Sequence, residues 1–132
     1  MYGYIKVTAD DELTVHATSS VLDNADLQDA VGGYYEVVRP GILQDTVWEN
    51  VRILCDEEGL YKESPKVNKL ASALYAAPYP IVGDVVFCTT EPPHDVPYQS
   101  EPDIWPFDKF SLPAAEDFFT RLLERLKTAK NE

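Results

Sequence analysis

From Ile81 to Cys88 the chain reads Ile-Val-Gly-Asp-Val-Val-Phe-Cys, apolar almost without interruption apart from Gly83-Asp84. A run of this length, rich in β-branched residues, predicts a strand covered on both faces. Such a strand belongs at the centre of a sheet, so the remaining elements must supply neighbours on either side and cover above and below.

The preceding sequence supplies them. Residues 2–8 and 13–17 alternate as strands and are joined by Asp10-Asp11-Glu12, which predicts an N-terminal hairpin. Between Asp23 and Ala30 the spacing of Leu22, Leu27 and Ala30-Val31 predicts a short helix, ended by Gly32-Gly33 through a left-handed turn. Tyr34–Val38 reads as a strand closed by Pro40-Gly41, with Tyr34 and Glu36 on one face and Tyr35 and Val37 on the other. Residues 50–55 form another strand. Asp56-Glu57-Glu58-Gly59 is a turn in which Gly59 is available for positive φ, and Leu60-Tyr61 reads as a further short strand. From Pro65 to Ala77 an apolar stripe of Val67, Leu70, Ala71, Leu74 and Tyr75 predicts a helix that Pro78 closes.

Pro92, Pro93, Pro97, Pro102 and Pro106 exclude helix and central strand from residues 90–110. Tyr98, Ile104, Trp105, Phe107 and Phe110 are too apolar for a free linker, so this strap is either pinned to the domain or completed by a partner. Ser111 and Pro113 then start a helix whose stripe is Ala115, Phe118, Phe119, Leu122, Leu123 and Leu126. Glu116 and Asp117 lie early in it and Arg125, Lys127 and Lys130 late, matching the helix dipole. The expected fold is therefore α+β: a mostly antiparallel sheet of five or six strands, a packed helix at about 66–77 and an amphipathic C-terminal helix at about 112–129. Residues 1–90 form the body, and 91–132 form the strap and helix of the same single domain, which 132 residues suffice to build around one core.

Acidic residues outnumber basic ones 23 to 11, a formal charge of −12 that disfavours direct contact with nucleic acid. The charge serves solubility or imitates a polyanion toward a basic partner. The N-terminus lacks the basic start and apolar block of a signal peptide, and no apolar run approaches a membrane span, so a cytoplasmic protein is expected. Cys55 and Cys88, each in an apolar run, read as buried free thiols.

Enzyme motifs are missing: there is no nucleophile elbow or phosphate loop, and Gly32-Gly33 lacks the third glycine of a dinucleotide site. Asp56, Glu57, Glu58, Asp84 and Glu36 could gather around a divalent cation, but their spacing matches no calcium loop, and a solvated turn is the simpler reading. Asp84 in an apolar strand must face solvent or bond backbone amides, as in a Gly-Asp bulge. His16 and His94 have no ligand-like neighbours and read as surface residues. Asn68 caps the following helix or, with Lys66 and Lys69, presents that helix start to an anionic group. Arg39 and Arg52 are the other cations a compact anion could use. Tyr34, Tyr35, Tyr75, Tyr79, Trp48, Trp105 and Phe107 offer stacking faces, and Trp105-Pro106-Phe107 is either a lid over a ligand or a cover for a sheet edge.

Three blocks stand out together: Val31-Gly32-Gly33-Tyr34-Tyr35-Glu36-Val37-Val38, Cys55-Asp56-Glu57-Glu58-Gly59-Leu60 and Pro80-Ile81-Val82-Gly83-Asp84-Val85-Val86-Phe87. In this order, over roughly residues 1–90, they resemble a family of small proteins of unknown function from bacteria, phages and plasmids. The resemblance implies a mobile-element accessory protein that blunts host defence, acting in the host cytoplasm if phage-encoded. On that footing the first expectation is a homo-oligomeric protein, without catalysis or cofactor, that binds and sequesters a small nucleotide-derived immune signal through Tyr35, Arg39, Asn68, Lys69 and Trp105. The alternative is an acidic inhibitor that blocks a nuclease or DNA-binding host protein. A metal-dependent hydrolase using Asp56, Glu57 and Asp84 comes last.

Overall fold

The computed structural model describes residues 1–96 and 102–129. Pro97, Tyr98 and Lys130 lie outside the described residues. Strands β1 (Tyr2–Val7), β2 (Leu13–Thr18), β3 (Tyr35–Val38), β4 (Val51–Asp56) and β5 (Val85–Thr89) form one antiparallel sheet in the order β2-β1-β5-β4-β3. Helices α1 (Asn24–Val31), α2 (Lys69–Tyr75) and α3 (Ser111–Ala129) complete an α+β fold.

The apolar run does become the central strand, and every residue of β5 is buried. Val85 and Phe87 point to one face, where Ile5, Ile53, Leu70 of α2 and Phe119 of α3 surround them. The Phe87 and Phe119 rings stack there with centroids 4.2 Å apart. Val86 and Cys88 point to the other face, against Tyr4, Leu54 and Leu27 of α1. A three-layer molecule follows, with α2 and α3 on one side of the sheet and α1 on the other. Burial of this kind contributes about 25 cal/mol per Å2 of apolar surface, which makes β5 the energetic centre of the fold.

The strand is shorter than its apolar run, because Gly83 adopts φ +82° and turns the chain just before it. Asp84 then bonds backbone as expected of a bulge: its Oδ1 accepts from the Ala9 amide at 3.1 Å, while Lys6 Nζ lies 3.6 Å from Oδ2. Helix α2 is also shorter than its stripe. Asn68 is its N-cap, with Oδ1 accepting from the Ala71 amide at 3.1 Å, and Ala76 ends it in the left-handed region. Val67 therefore precedes the helix, in a bridge with Val82.

Two further expectations are corrected after β4. Leu60 and Tyr61 lie in a 3-10 turn, Gly59–Tyr61, instead of a strand. Gly59 does not have positive φ; it is needed for space, since a Cβ there would stand 2.7 Å from Val82 Cγ2.

The strap is pinned. Trp105 and Phe107 are each only 2% exposed. Thr89 and Trp105 exchange both peptide hydrogen bonds (3.0 and 2.7 Å), and so do Gly3 and Phe107 (3.0 and 2.9 Å). Continuation of the β1–β5 register, in which Ile5 faces Phe87, would set Gly3 opposite Thr89. The strap occupies that pairing instead and fills the gap where the two strands part. Asp108 connects it to α3: its Oδ1 accepts from the amides of Phe110 and Ser111, each at 2.9 Å.

Candidate functional site

The residues expected to bind a ligand are distributed over separate parts of the fold. Tyr35 lies on β3 against the α1 layer, with its hydroxyl on Asn24 Oδ1. Arg39 is exposed just beyond β3, close enough to Arg52 that, after burial, its like charge lowers the Arg52 pKa. Asn68 is fully buried on the opposite side of the sheet. Besides capping α2, its Nδ2 donates to the carbonyls of Val7 and Gly83, both at 3.0 Å. The cations at the start of α2 face carboxylates of the chain itself, for Lys66 pairs with Asp10, and Lys69 Nζ lies 3.9 Å from Asp11 Oδ2. Trp105 is core. A lid would have to leave the surface freely, and this residue is buried and paired through both its peptide groups to Thr89, so the lid reading is replaced by that of a structural plug. None of the five residues lines any of five clefts in the surface of the described residues.

A different set of residues converges. One cleft of about 360 Å3 is lined by Glu36 and Val38 of β3, by Cys55, Asp56, Glu57 and Leu60 at the end of β4, and by Pro80, Ile81 and Val82 before β5. Each of the three sequence blocks contributes to its wall. The remaining wall is made by Tyr61, Tyr75 and Tyr79. The period of two along β3 explains half of this geometry: Tyr35 turns toward α1, which sends Glu36 and Val38 to the face carrying α2.

The carboxylates in the wall have different tasks. The Asp56 side chain is 5% exposed, accepts from the Glu58 amide at 2.9 Å and pairs with Lys62. Lys62 in turn donates to the Gly32 carbonyl at 2.8 Å, which ties the turn after α1 to the turn after β4. Asp56 is therefore a structural carboxylate. Glu36 and Glu57 are exposed and make no ion pair among the described residues, although the Cys55 thiol lies 3.8 Å from Glu36 Oε1. Burial, and then the Glu36 charge, push the Cys55 thiol up to about 12, so the sulfur stays neutral. Tyr61 is 89% exposed and Tyr79 70%, so two exposed aromatic rings share the cleft wall with the two carboxylates.

Negative charge beside ring faces suits a cationic group. A guanidinium can pair with a carboxylate through two bonds and lie against a tyrosine face, an attraction of about 0.5–1 kcal/mol at exposed sites. Among the described residues, no group of three or more His, Cys, Asp or Glu side chains is placed to hold a metal ion. His16 stacks on Tyr4 with ring centroids 5.0 Å apart, His94 Nδ1 lies 3.4 Å from Asp108 Oδ2, and neither histidine lines the cleft. Glu36 and Tyr79 are legible in the sequence only as members of broader groups, and Tyr61 has no signal there beyond its proximity to the second block.

The fold and this cleft define a small α+β domain with an acidic, aromatic recess at one side of its sheet. Residues 5–101 match the family described as a domain of unknown function (DUF3846), and the chain belongs to that family. No curated protein and no solved structure matches the chain. Among the described residues, no helix is long and apolar enough to cross a membrane.

Proposed function

We propose that this protein acts by binding and not by catalysis, and that its cleft receives basic side chains presented by a partner protein. The observation that carries this is that Glu36 and Glu57 line one cleft with the exposed rings of Tyr61 and Tyr79. A net charge of −12 extends the attraction over the whole surface and favours a basic partner during encounter. In the setting suggested by the three sequence blocks, that of a phage or mobile-element accessory protein, such a partner is a host nuclease or DNA-binding protein whose basic surface is blocked.

Titration calorimetry of the full chain against a panel of purified basic nucleases and DNA-binding domains tests this. Binding to a panel member should weaken about tenfold or more between low and physiological salt, and again in the Glu36→Gln/Glu57→Gln variant. Binding that ignores both salt and the double substitution would sink the proposal.

A second reading, capture of a small nucleotide-derived signal, draws on the proximity of Arg39 and Arg52 beyond Tyr35 on the α1 side of the sheet. It predicts that cyclic or linear oligonucleotides protect the chain against thermal unfolding and that Arg39→Ala removes the protection. It stands second because the cleft with the exposed carboxylates lies on the other face of β3, lined by Glu36 and Val38 and by neither arginine.

A further inference from the structure

We propose that the partner docks as an extended strand added to the free edge of β3, with a lysine or arginine opposite Glu36 entering the cleft. This rests on the cleft-binding reading above and specifies the form of the partner.

The sheet ends at β3, because β4 flanks it on one side only. Register fixes which peptide groups face outward. Glu57 donates to the Tyr34 carbonyl at 3.0 Å, so Tyr34–Glu57, Glu36–Cys55 and Val38–Ile53 are the hydrogen-bonded pairs of this ladder. The N–H and C=O groups of Tyr35 and Val37 therefore point away from β4, and no group of the described residues bonds to them. The edge is open to solvent, with Val37 47% exposed and Tyr34 69%. Edge strands are often blunted by a proline, a bulge or an inward charge; β3 has neither proline nor bulge within its four residues, since Pro40 lies beyond its end, and its one charge, Glu36, leaves the edge open to a strand that carries the opposite charge.

A strand added here would bond to both outward residues and place its own intervening residue directly across from Glu36. That is a non-hydrogen-bonded position, where Cβ atoms stand about 4.5–5.5 Å apart. The side chain there shares the face of Glu36 and so enters the cleft beside Glu57 and Tyr79. Charge selects the occupant. A second copy of this chain, paired through the same two residues, would set Glu36 against its own counterpart, and like charges directly opposite are destabilising. A basic strand meets the opposite charge, and backbone pairing supplies affinity while the cleft supplies selectivity.

The probe is a ten-residue peptide alternating arginine and threonine, with a glutamate–threonine peptide and an arginine peptide interrupted by prolines as controls. Amide hydrogen exchange of the full chain is followed by NMR. The arginine–threonine peptide should slow exchange at Tyr35 and Val37 at least tenfold, the two controls should not, and Val37→Pro should lose the affinity while keeping the thermal midpoint. Equal binding of the proline-interrupted peptide, with Tyr35 and Val37 unprotected, would overturn strand addition and leave the acidic cleft standing. If none of the arginine peptides binds, the cleft reading fails as well. Protection of the two amides that depends on protein concentration alone would identify a second copy as the occupant and overturn the basic strand.

Discussion

The carboxamide of Asn68 donates to the carbonyl of Val7 at 3.0 Å, a bond that joins the start of α2 to the end of β1 across 61 positions of sequence. The same side chain donates to Gly83 and accepts from Ala71, so it fastens β1, the approach to β5 and α2 at one buried point.

Asn68→Ala removes the cap of α2 together with the side-chain donor to the Val7 and Gly83 carbonyls. It should cost about 2–4 kcal/mol in urea denaturation. Asn68→Asp keeps the acceptor for the Ala71 amide but turns the donors toward Val7 and Gly83 into repulsive oxygens, so it should recover only part of that loss. A near-neutral Asn68→Ala would show that the polar cluster is not what holds α2 to the sheet.

Gly59 tests the other close approach. Gly59→Ala places its Cβ against a β-branched side chain at 2.7 Å and should destabilise by about 1–3 kcal/mol. Adding Val82→Ala removes the obstructing methyl, and the pair should be less than additive. At Gly3 the obstacle is the His16 carbonyl oxygen at 2.6 Å, so Gly3→Ala should resist rescue by trimming the nearby Leu112.

Trp105→Ala should behave as a core truncation and cost about 3–5 kcal/mol, because the side chain is almost wholly buried in a strap whose backbone is paired to β5. Its effect should appear as a shifted denaturation midpoint. A lid would give the opposite pattern, with stability kept and ligand affinity lost.

The thiols give a pH dependence. Burial pushes Cys55 and Cys88 up from 9.0 to about 12, with the Glu36 charge adding to the effect at Cys55 and Arg52 opposing it at Cys88. The unfolded chain ionises its thiols first, so their stabilising contribution is complete below about pH 9 and is lost as the pH rises through about 12. Alkaline denaturation of Cys55→Ala should show a shallower loss over that window than the parent. Both thiols should also resist iodoacetamide at pH 8 until denaturant is added.

Asp108 governs the acid side. Burial raises its pKa, but the amides of Ser111 and Phe110 and the Ser111 hydroxyl outweigh that and hold it below the usual carboxylate range. Its contribution is present above the unfolded carboxyl pKa and is lost as the pH falls through the folded value. Asp108→Asn should lower stability at pH 7 and flatten the decline toward low pH, as read from thermal midpoints across the range.

What the sequence determined by itself is what local periodicity and caps encode. The unbroken apolar run placed β5 in the centre, the stripe from Ala115 to Leu126 made α3, the Asp10–Glu12 turn made the hairpin, and Gly32 with φ +86° ended α1. What only the tertiary structure decided depends on contacts between segments far apart in the chain. Gly83 shortened a strand that its apolar neighbours would extend, and Asn68 started α2 where its carboxamide could reach β1 and not where the stripe begins. Trp105 became core because β1 and β5 diverge and leave peptide groups for the strap to satisfy. The cleft arises in the same way: Glu36, Glu57 and Tyr79 stand in separate segments, each only one member of a larger group in the sequence, and the edge of the sheet and the turn before β5 bring them together with Tyr61. Hydrogen-bond periodicity is local and can be read along a chain, whereas the meeting of charges and rings is set by how the layers pack.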